Sequence, residues 1–164
     1  MPDILYFSRN RSTNIQQEDD YTIKSTCRLT DTLTEAIVEI IVKLPDLEII
    51  DIKGEVKRSH IKECLLPATY LKKAVGIRIG SGMLKIIKGL VGDETNCKQL
   101  SFMLEECCHA IILSFTKETL QKVPPNEAGT NEYYSRMVKE NIRLYNRCAA
   151  FAPGSAIVEG INPP

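Results

Sequence analysis

The sequence predicts an α+β protein, in which an antiparallel sheet of three to four strands is followed by three to four helices packed on one face. Two observations indicate this fold class. Residues 21–59 are rich in Ile, Val and Thr, which favour extended structure, whereas apolar residues after position 60 recur at helical spacing. We therefore predict one domain over residues 1–164, with strands in 1–60, helices in 61–147 and an irregular tail in 148–164.

Three extended segments account for most of the predicted sheet. Residues 21–31 (YTIKSTCRLTD), 36–44 (AIVEIIVKL) and 47–59 (LEIIDIKGEVKRS) each have the composition of a strand. The break at Leu44-Pro45-Asp46 suits a tight turn, so we expect the second and third segments to form an antiparallel hairpin, with the first alongside. Residues 4–11 (ILYFSRNR) are expected to add an edge strand.

Helical spacing of apolar residues predicts four helices, over residues 65–76, 83–90, 97–116 and 132–146. Pro67 is tolerated in the first turn of the first helix, and Gly76 marks its end. Thr95 or Asn96 is expected to cap the N-terminus of the third and longest helix. The glycines between residues 76 and 92 lack the spacing of a phosphate-binding loop, so we interpret them as turns.

Charge and composition restrict the classes of partner. The chain has 164 residues with 21 Lys and Arg against 21 Asp and Glu, so its net charge is zero and no basic excess attracts phosphate or anionic lipid. No stretch approaches the roughly 20 apolar residues that span a bilayer, and the N-terminus lacks a cleavage-site pattern. We therefore expect a cytoplasmic protein that binds neither nucleic acid nor membrane and whose partner, if any, is another protein.

The cysteines are the residues most suited to chemistry. Cys97 falls in the first turn of the longest predicted helix, where unpaired backbone N–H groups and the helix dipole stabilise a thiolate. Cys64 lies shortly before the first predicted helix, in a similar field, and Cys148 follows the last one, next to Arg147. A thiolate is the form that binds metals and attacks substrates. From the residues alone, burial as small hydrophobic side chains explains Cys64 and Cys97 equally well.

The other three cysteines are expected to be core residues. Cys107 and Cys108 lie about 15 Å along the same helix from Cys97, at about 1.5 Å per residue, too far to share one ion with it. Cys27 lies in the middle of a predicted strand, and free cysteine is commonly buried. His60 precedes Cys64 by four positions, a spacing that ligates metals but is a weak signal by itself.

Several segments resemble a bacterial family described only as a domain of unknown function, DUF2889. Four segments carry the resemblance over nearly the whole chain: RLTDT at 28–32, VGIRIGSG at 75–82, GDETNCKQL at 92–100 and NRCAAFAPGSAIV at 146–158. The resemblance implies that Cys64, Cys97 and Cys148 occupy the family's three cysteine positions. Histidine is common in the family at three positions where this chain has Thr34, Gln99 and Ala149. These departures argue against a histidine-dependent metal site or acid–base role.

A more distant resemblance is to iron–sulfur scaffold proteins of the IscU and NifU type. Its basis is an antiparallel sheet, a cysteine where the last strand meets a helix, and a second cysteine that opens a long helix in C-x-x-L. Such scaffolds assemble a cluster on three cysteines and an aspartate. Here Cys64 and Cys97 match two of those cysteines, whereas the cysteine–aspartate pair on the scaffold's early strand turn is not reproduced, so Asp31 or Glu35 would have to supply the oxygen ligand. Together with Cys148 from the DUF2889 resemblance, the implied metal ligands are Cys64, Cys97 and Cys148 with Asp31 or Glu35.

Three functions are left open by the sequence. The first is an accessory or scaffold protein whose cysteine thiolates bind metal, in which case soft ligands would select zinc or an iron–sulfur cluster. The second is a thiol-dependent enzyme with Cys97 as nucleophile, activated by its helix terminus. The third is a structural or ligand-binding interaction module that holds no metal. The sequence names no substrate and no further catalytic residues.

Overall fold

The computed structural model describes residues 6–80, 82–92 and 97–163. It confirms the α+β fold class, with a four-stranded antiparallel sheet in the N-terminal half followed by helices. The strands are β1 Arg9–Asp19, β2 Thr22–Asp31, β3 Glu35–Lys43 and β4 Glu48–Arg58. They lie side by side in chain order, and each is antiparallel to the next, which confirms the predicted hairpin of β3 and β4.

The helices follow the sheet in the chain. The α-helices are α1 Met83–Val91, α2 Lys98–Gln121 and α3 Asn131–Glu140. Short 3₁₀ helices cover Lys62–Leu65, Thr69–Ala74, Ile142–Leu144 and Ala149–Phe151. Of the helices that the structure describes, none is long and apolar enough to cross a membrane. The contacts divide the chain into two compact units, residues 1–111 and 112–164; the single-domain organisation stays a prediction.

Alternation of apolar and polar residues explains the two faces of the sheet. The fully buried side chains of β3 occupy every second position: Ala36, Val38, Ile40 and Val42. On the opposite face the ammonium of Lys24 lies 3.2 Å from the carboxylate of Glu39. The first half of α2 covers the apolar face, since the Cys107 sulfur lies 3.6 Å from the carbonyl oxygen of Val38. One face therefore forms the core, and the other is mostly polar, with Ile37 and Ile41 half-buried among charged side chains.

The edge strand differs from its prediction. Residues 4–11 were the predicted strand, whereas β1 runs over Arg9–Asp19 and residues 1–5 lie outside the described part of the chain. The side chains of β1 are exposed except for Thr13 and Ile15, which are half-buried on one face. Backbone hydrogen bonds to β2 hold the strand in place, and they do not require an apolar face. The sequence of β1 therefore shows no hydrophobic period that would predict it.

The first predicted helix, over residues 65–76, is a 3₁₀ helix over Thr69–Ala74. Its two buried residues, Leu71 and Ala74, are three positions apart, and the 3₁₀ geometry places such residues on the same face. At the other end of the chain, α3 ends at Glu140 instead of 146, because Asn141 leaves the helical conformation with φ −130°. The proposed cap at Thr95 or Asn96 lies outside the described residues.

The chain after β4 folds back along the outer edge of that strand. The N–H of Ile49 donates to the carbonyl of Ile77 at 2.9 Å, and the N–H of Gly76 donates to Ile49 at 2.7 Å. Lys72 forms an ion pair with Asp51 from the 3₁₀ helix that packs on β4. The first residues of β4 are therefore paired on this edge by the chain itself.

Candidate functional site

The six cysteines fall into two sets that differ in solvent exposure. The accessible cysteines are Cys64 and Cys97, which are partly buried, and Cys148, which is exposed. The buried cysteines are Cys27, Cys107 and Cys108, each with 0% exposure. A thiol has to meet solvent to bind an ion or attack a substrate, so only the accessible cysteines satisfy this condition. They are the same three that the family resemblance selects.

The buried cysteines behave as core side chains. The Cys107 thiol lies 3.6 Å from the carbonyl oxygen of Val38 and 3.8 Å from that of Ser25. The Ser25 hydroxyl in turn donates to the Cys107 carbonyl at 3.0 Å. Burial raises the pKa of the Cys107 and Cys27 thiols, and it raises that of Cys108 to about 12. These thiols therefore stay protonated and pack as core side chains, as the sequence predicts for all three.

Cys97 occupies the N-terminus of α2, one residue before Lys98. Its carbonyl accepts the first helical hydrogen bond from the N–H of Ser101 at 3.2 Å, and the Tyr70 hydroxyl donates to the same carbonyl at 3.0 Å. Ser101 also donates its hydroxyl to the carbonyl of Val91 at 3.0 Å. The backbone at Cys97 is thus held from two sides, by α2 itself and by the 3₁₀ helix Thr69–Ala74.

Tyr70 is a neighbour of Cys97 that the sequence did not indicate. Burial, and after it electrostatic repulsion from the Cys97 sulfur when that sulfur is ionised, raises the pKa of Tyr70 to about 12. Tyr70 therefore stays a neutral hydrogen-bond donor beside the thiol. The two residues are 27 positions apart, and no motif connects them, so only the packing of the 3₁₀ helix against the start of α2 reveals the pair.

Cys64 lies in a setting that differs from its expected one. It belongs to the short 3₁₀ helix Lys62–Leu65, and the N–H of Cys64 donates to the carbonyl of Ile61 at 3.1 Å. The next helical segment begins only at Thr69, so no α-helix terminus follows Cys64. Its neighbours are exposed apolar side chains, with Leu65 46% and Leu66 66% exposed. Leu65 and Leu66 also line an open cleft of about 360 Å³ beside β4.

Cys148 lies in the second compact unit, residues 112–164. It precedes the 3₁₀ helix Ala149–Phe151, and its carbonyl accepts a hydrogen bond from the N–H of Phe151 at 3.0 Å. Cys64 and Cys97 belong to the other unit. The convergence of the three accessible cysteines on one ion stays a prediction.

Asp31, one of the two predicted oxygen ligands, is occupied by contacts within the fold. One carboxylate oxygen accepts from Arg9 Nε at 2.9 Å and Nη2 at 2.7 Å. The other accepts from the backbone N–H groups of Leu33 and Thr34, where the chain turns from β2 into β3. The Asp31 side chain is 1% exposed, so binding an ion would require it to give up these contacts.

Glu35, the alternative oxygen ligand, begins β3 and is half-buried, paired in register with Thr30 and Arg58. Among residues 6–80, 82–92 and 97–163, no three His, Cys, Asp or Glu side chains are grouped so that they would hold a metal ion. The metal-binding role of both carboxylates stays a prediction.

The contacts of Asp31 lead to a testable pH dependence. Burial acts to raise the pKa of this carboxyl, but the hydrogen bonds from Arg9, Leu33 and Thr34 outweigh it and hold the pKa below its ordinary 3.8. A lowered folded-state pKa stabilises the fold above the unfolded-state value, and this contribution is lost as the pH falls through the folded-state pKa. We expect Asp31→Asn to lower the free energy of unfolding at neutral pH, with the difference from the parent shrinking in acid.

Urea unfolding of both proteins across the acidic range measures this difference. Asp46→Asn serves as the control, because Asp46 is an exposed carboxylate in the turn between β3 and β4. Parallel pH profiles for the parent and Asp31→Asn would contradict the expectation.

Similarity to other proteins is a separate source of information on this site. The resemblances to DUF2889 and to the iron–sulfur scaffolds depend on short segments and on the positions of the cysteines. Both stay predictions. Comparison of this chain with protein-family models, with curated proteins and with solved structures finds no match.

Proposed function

We propose that this chain is an accessory protein that binds a soft metal ion or an iron–sulfur cluster through Cys64, Cys97 and Cys148. The division of the cysteines by exposure is the observation that supports this function, since Cys148 is exposed and Cys64 and Cys97 are partly exposed, while the other three are buried in the core. Thiolates are soft ligands that favour zinc and iron–sulfur clusters over hard cations. Cys97 lies at the start of α2, one residue before Lys98.

The residues fit such an ion only in part. The three thiols have suitable chemistry, and the half-buried Glu35 suits the oxygen position better than Asp31, whose two oxygens are engaged by Arg9 and the backbone. Because the described residues hold no ready-made group of three ligands, the proposal requires the ion to gather its ligands as it binds. Metal binding is then coupled to a change in the fold, and the ion should stabilise the protein.

Metal analysis after anaerobic purification tests this function. We expect the parent to carry about one zinc ion or cluster per chain, and Cys64→Ser or Cys97→Ser to lose most of it, because each removes a ligand. Cys108→Ala is the matched control, since it removes a buried thiol that meets no solvent. Addition of zinc to the parent should also raise its unfolding temperature. A metal-free parent with six titratable thiols would overturn the proposal.

An interaction module without metal is the second candidate. The observation that favours it is the exposed apolar surface around Cys64, formed by Ile61, Leu65 and Leu66, of which Ile61 is 59% and Leu66 is 66% exposed. Exposed apolar side chains grouped in this way are typical of binding surfaces. In this case the parent is metal-free, and Cys64→Ser and Cys97→Ser leave its stability and its partners unchanged. Fast alkylation of Cys97 alone in a metal-free protein would instead indicate thiol catalysis.

A further inference from the structure

The mostly polar face of the sheet carries an open cleft around the half-buried side chain of Ile37. The register places Ile37 directly opposite Arg28 of β2 on one side and Glu55 of β4 on the other. The cleft has a volume of about 390 Å³, within the range of about 300–1,000 Å³ that is usual for small-molecule sites. Apart from Gly54, its lining consists of Ile37, three cations and two carboxylates: Arg28, Lys53 and Lys57, with Glu39 and Glu55.

Both carboxylates of the cleft already have a cation beside them. Glu39 lies 3.2 Å from the ammonium of Lys24 and accepts a hydrogen bond from the Thr26 hydroxyl at 3.3 Å, so its partners are on the β2 side. Glu55 lies 3.7 Å from the ammonium of Lys57 in the same strand. An anion that enters the cleft therefore meets carboxylates whose charges are partly balanced.

Two cations of the cleft are left without a carboxylate. Of the residues that the structure describes, none forms an ion pair with Arg28 or Lys53. The carboxylate nearest to Lys53 along its strand face, that of Asp51, is ion-paired with Lys72 instead. Arg28 and Lys53 lie on the strands that flank β3, about 10 Å apart at two strand spacings, and Ile37 lies between them.

This arrangement favours a ligand with an acidic group at each end. The guanidinium of Arg28 presents a planar fork of N–H donors that matches the two oxygens of a carboxylate, and the ammonium of Lys53 is a point charge for a second one. The side chain of Ile37 offers an apolar surface to the carbon atoms that join the two groups.

We propose that this cleft binds a short-chain organic dicarboxylate, with one carboxylate on Arg28, the other on Lys53 and the carbon chain on Ile37. The cleft contains no cysteine, and the proposal does not depend on the proposed metal-binding function. Arg28 and Lys53 are exposed, so both contacts are screened by salt and the affinity should fall as salt is added.

Titration of the ¹⁵N-labelled full chain with glutarate at low salt, followed by its amide chemical shifts, tests the site. We expect saturable shifts in β2, β3 and β4 around Ile37. Pentanoate has the same carbon chain with one carboxylate, and we expect it to bind about 10-fold more weakly, because it loses one hydrogen bond between charged groups.

Charge-removing variants test the two contacts. Arg28→Gln and Lys53→Gln are each expected to weaken glutarate binding about 10-fold, for the same reason. Glu55→Gln is expected to tighten it, because the variant removes a carboxylate that repels the ligand and leaves Lys57 without its partner. Arg78→Gln is the matched control, since it makes the same change of charge at an exposed residue outside the cleft.

All four substitutions change exposed side chains, so urea unfolding of each variant should match that of the parent, and a change in affinity then reports the contact itself. The proposal is overturned if glutarate gives no saturable shifts, if pentanoate binds as tightly as glutarate, or if Arg28→Gln and Lys53→Gln bind glutarate like Arg78→Gln. Weaker binding by Glu55→Gln would overturn it as well.

Discussion

Alkylation of the native chain is expected to modify the accessible cysteines and to spare the buried ones. The buried thiols have 0% exposure, so a reagent reaches them only after the core opens. Burial also raises the pKa of Cys108 from 9.0 to about 12. Three pKa units reduce the thiolate fraction about 1,000-fold, because each unit is a factor of ten. Iodoacetamide labelling at mildly alkaline pH, followed by mass spectrometry of the cysteine peptides, measures the rates.

The same labelling in denaturant is the control, since all six cysteines should then react at similar rates. In the native chain, labelling of the buried set should follow the rate of core opening and quicken as urea is added. Reaction of Cys107 or Cys108 as fast as Cys148 would contradict the burial of the first two thiols. Rapid reaction at Cys97 alone would favour thiol catalysis over metal binding.

A second large effect is expected from a single methyl group in β4. A Cβ at Gly54 would lie 2.3 Å from the Cδ1 atom of Leu71 and 3.5 Å from Val38 Cγ2. Leu71 is 1% exposed and cannot swing into solvent without leaving the core. We expect Gly54→Ala to destabilise the fold by about 1–3 kcal/mol, the usual cost of forcing extra volume into a packed core. Urea unfolding measures the change.

A double-mutant cycle shows whether Leu71 is the cause. Leu71→Ala alone is expected to cost about 2–5 kcal/mol through the cavity that it leaves. In the double variant the new methyl group occupies part of this cavity, so the total should be smaller than the sum of the single effects. Additive effects would show that the clash with Leu71 is not the source of the loss.

Gly89→Ala is the matched control, the same substitution at an exposed position of α1, where the new Cβ meets nothing within 4 Å beyond its chain neighbours and the backbone of its own helix. It should stabilise the protein by about 0.5–1 kcal/mol, because alanine loses less backbone freedom in a helix than glycine.

The core strands were predictable because their buried positions are occupied by apolar residues, which are visible in the sequence. The predicted segments 21–31, 36–44 and 47–59 match β2, β3 and β4 within a few residues. Alternating apolar residues require one buried face, and the turn at Pro45 sets the hairpin. The position of β1 was not predictable. Its side chains are exposed or half-buried, and the hydrogen bonds that hold it depend on backbone atoms that every residue shares.

The candidate site shows the same division. Helix position and family resemblance singled out three cysteines, and these are the three with solvent access. The neighbours that set their chemistry come from distant parts of the chain. Tyr70 reaches Cys97 from 27 positions away, and Arg9 occupies Asp31 from 22 positions away. Neither contact follows a local spacing rule, so neither was expected.

The sequence by itself determined the fold class and the order of the core strands and the helices, because the hydrophobic period is a local property of the chain. Tertiary structure alone decided that the predicted 65–76 helix is a 3₁₀ helix over Thr69–Ala74 that packs on β4, that Asp31 is held by Arg9, and that residues 76–79 pair with the start of β4. These features depend on which distant segments meet, and that choice is made by the free energy of packing the whole core rather than by any local preference.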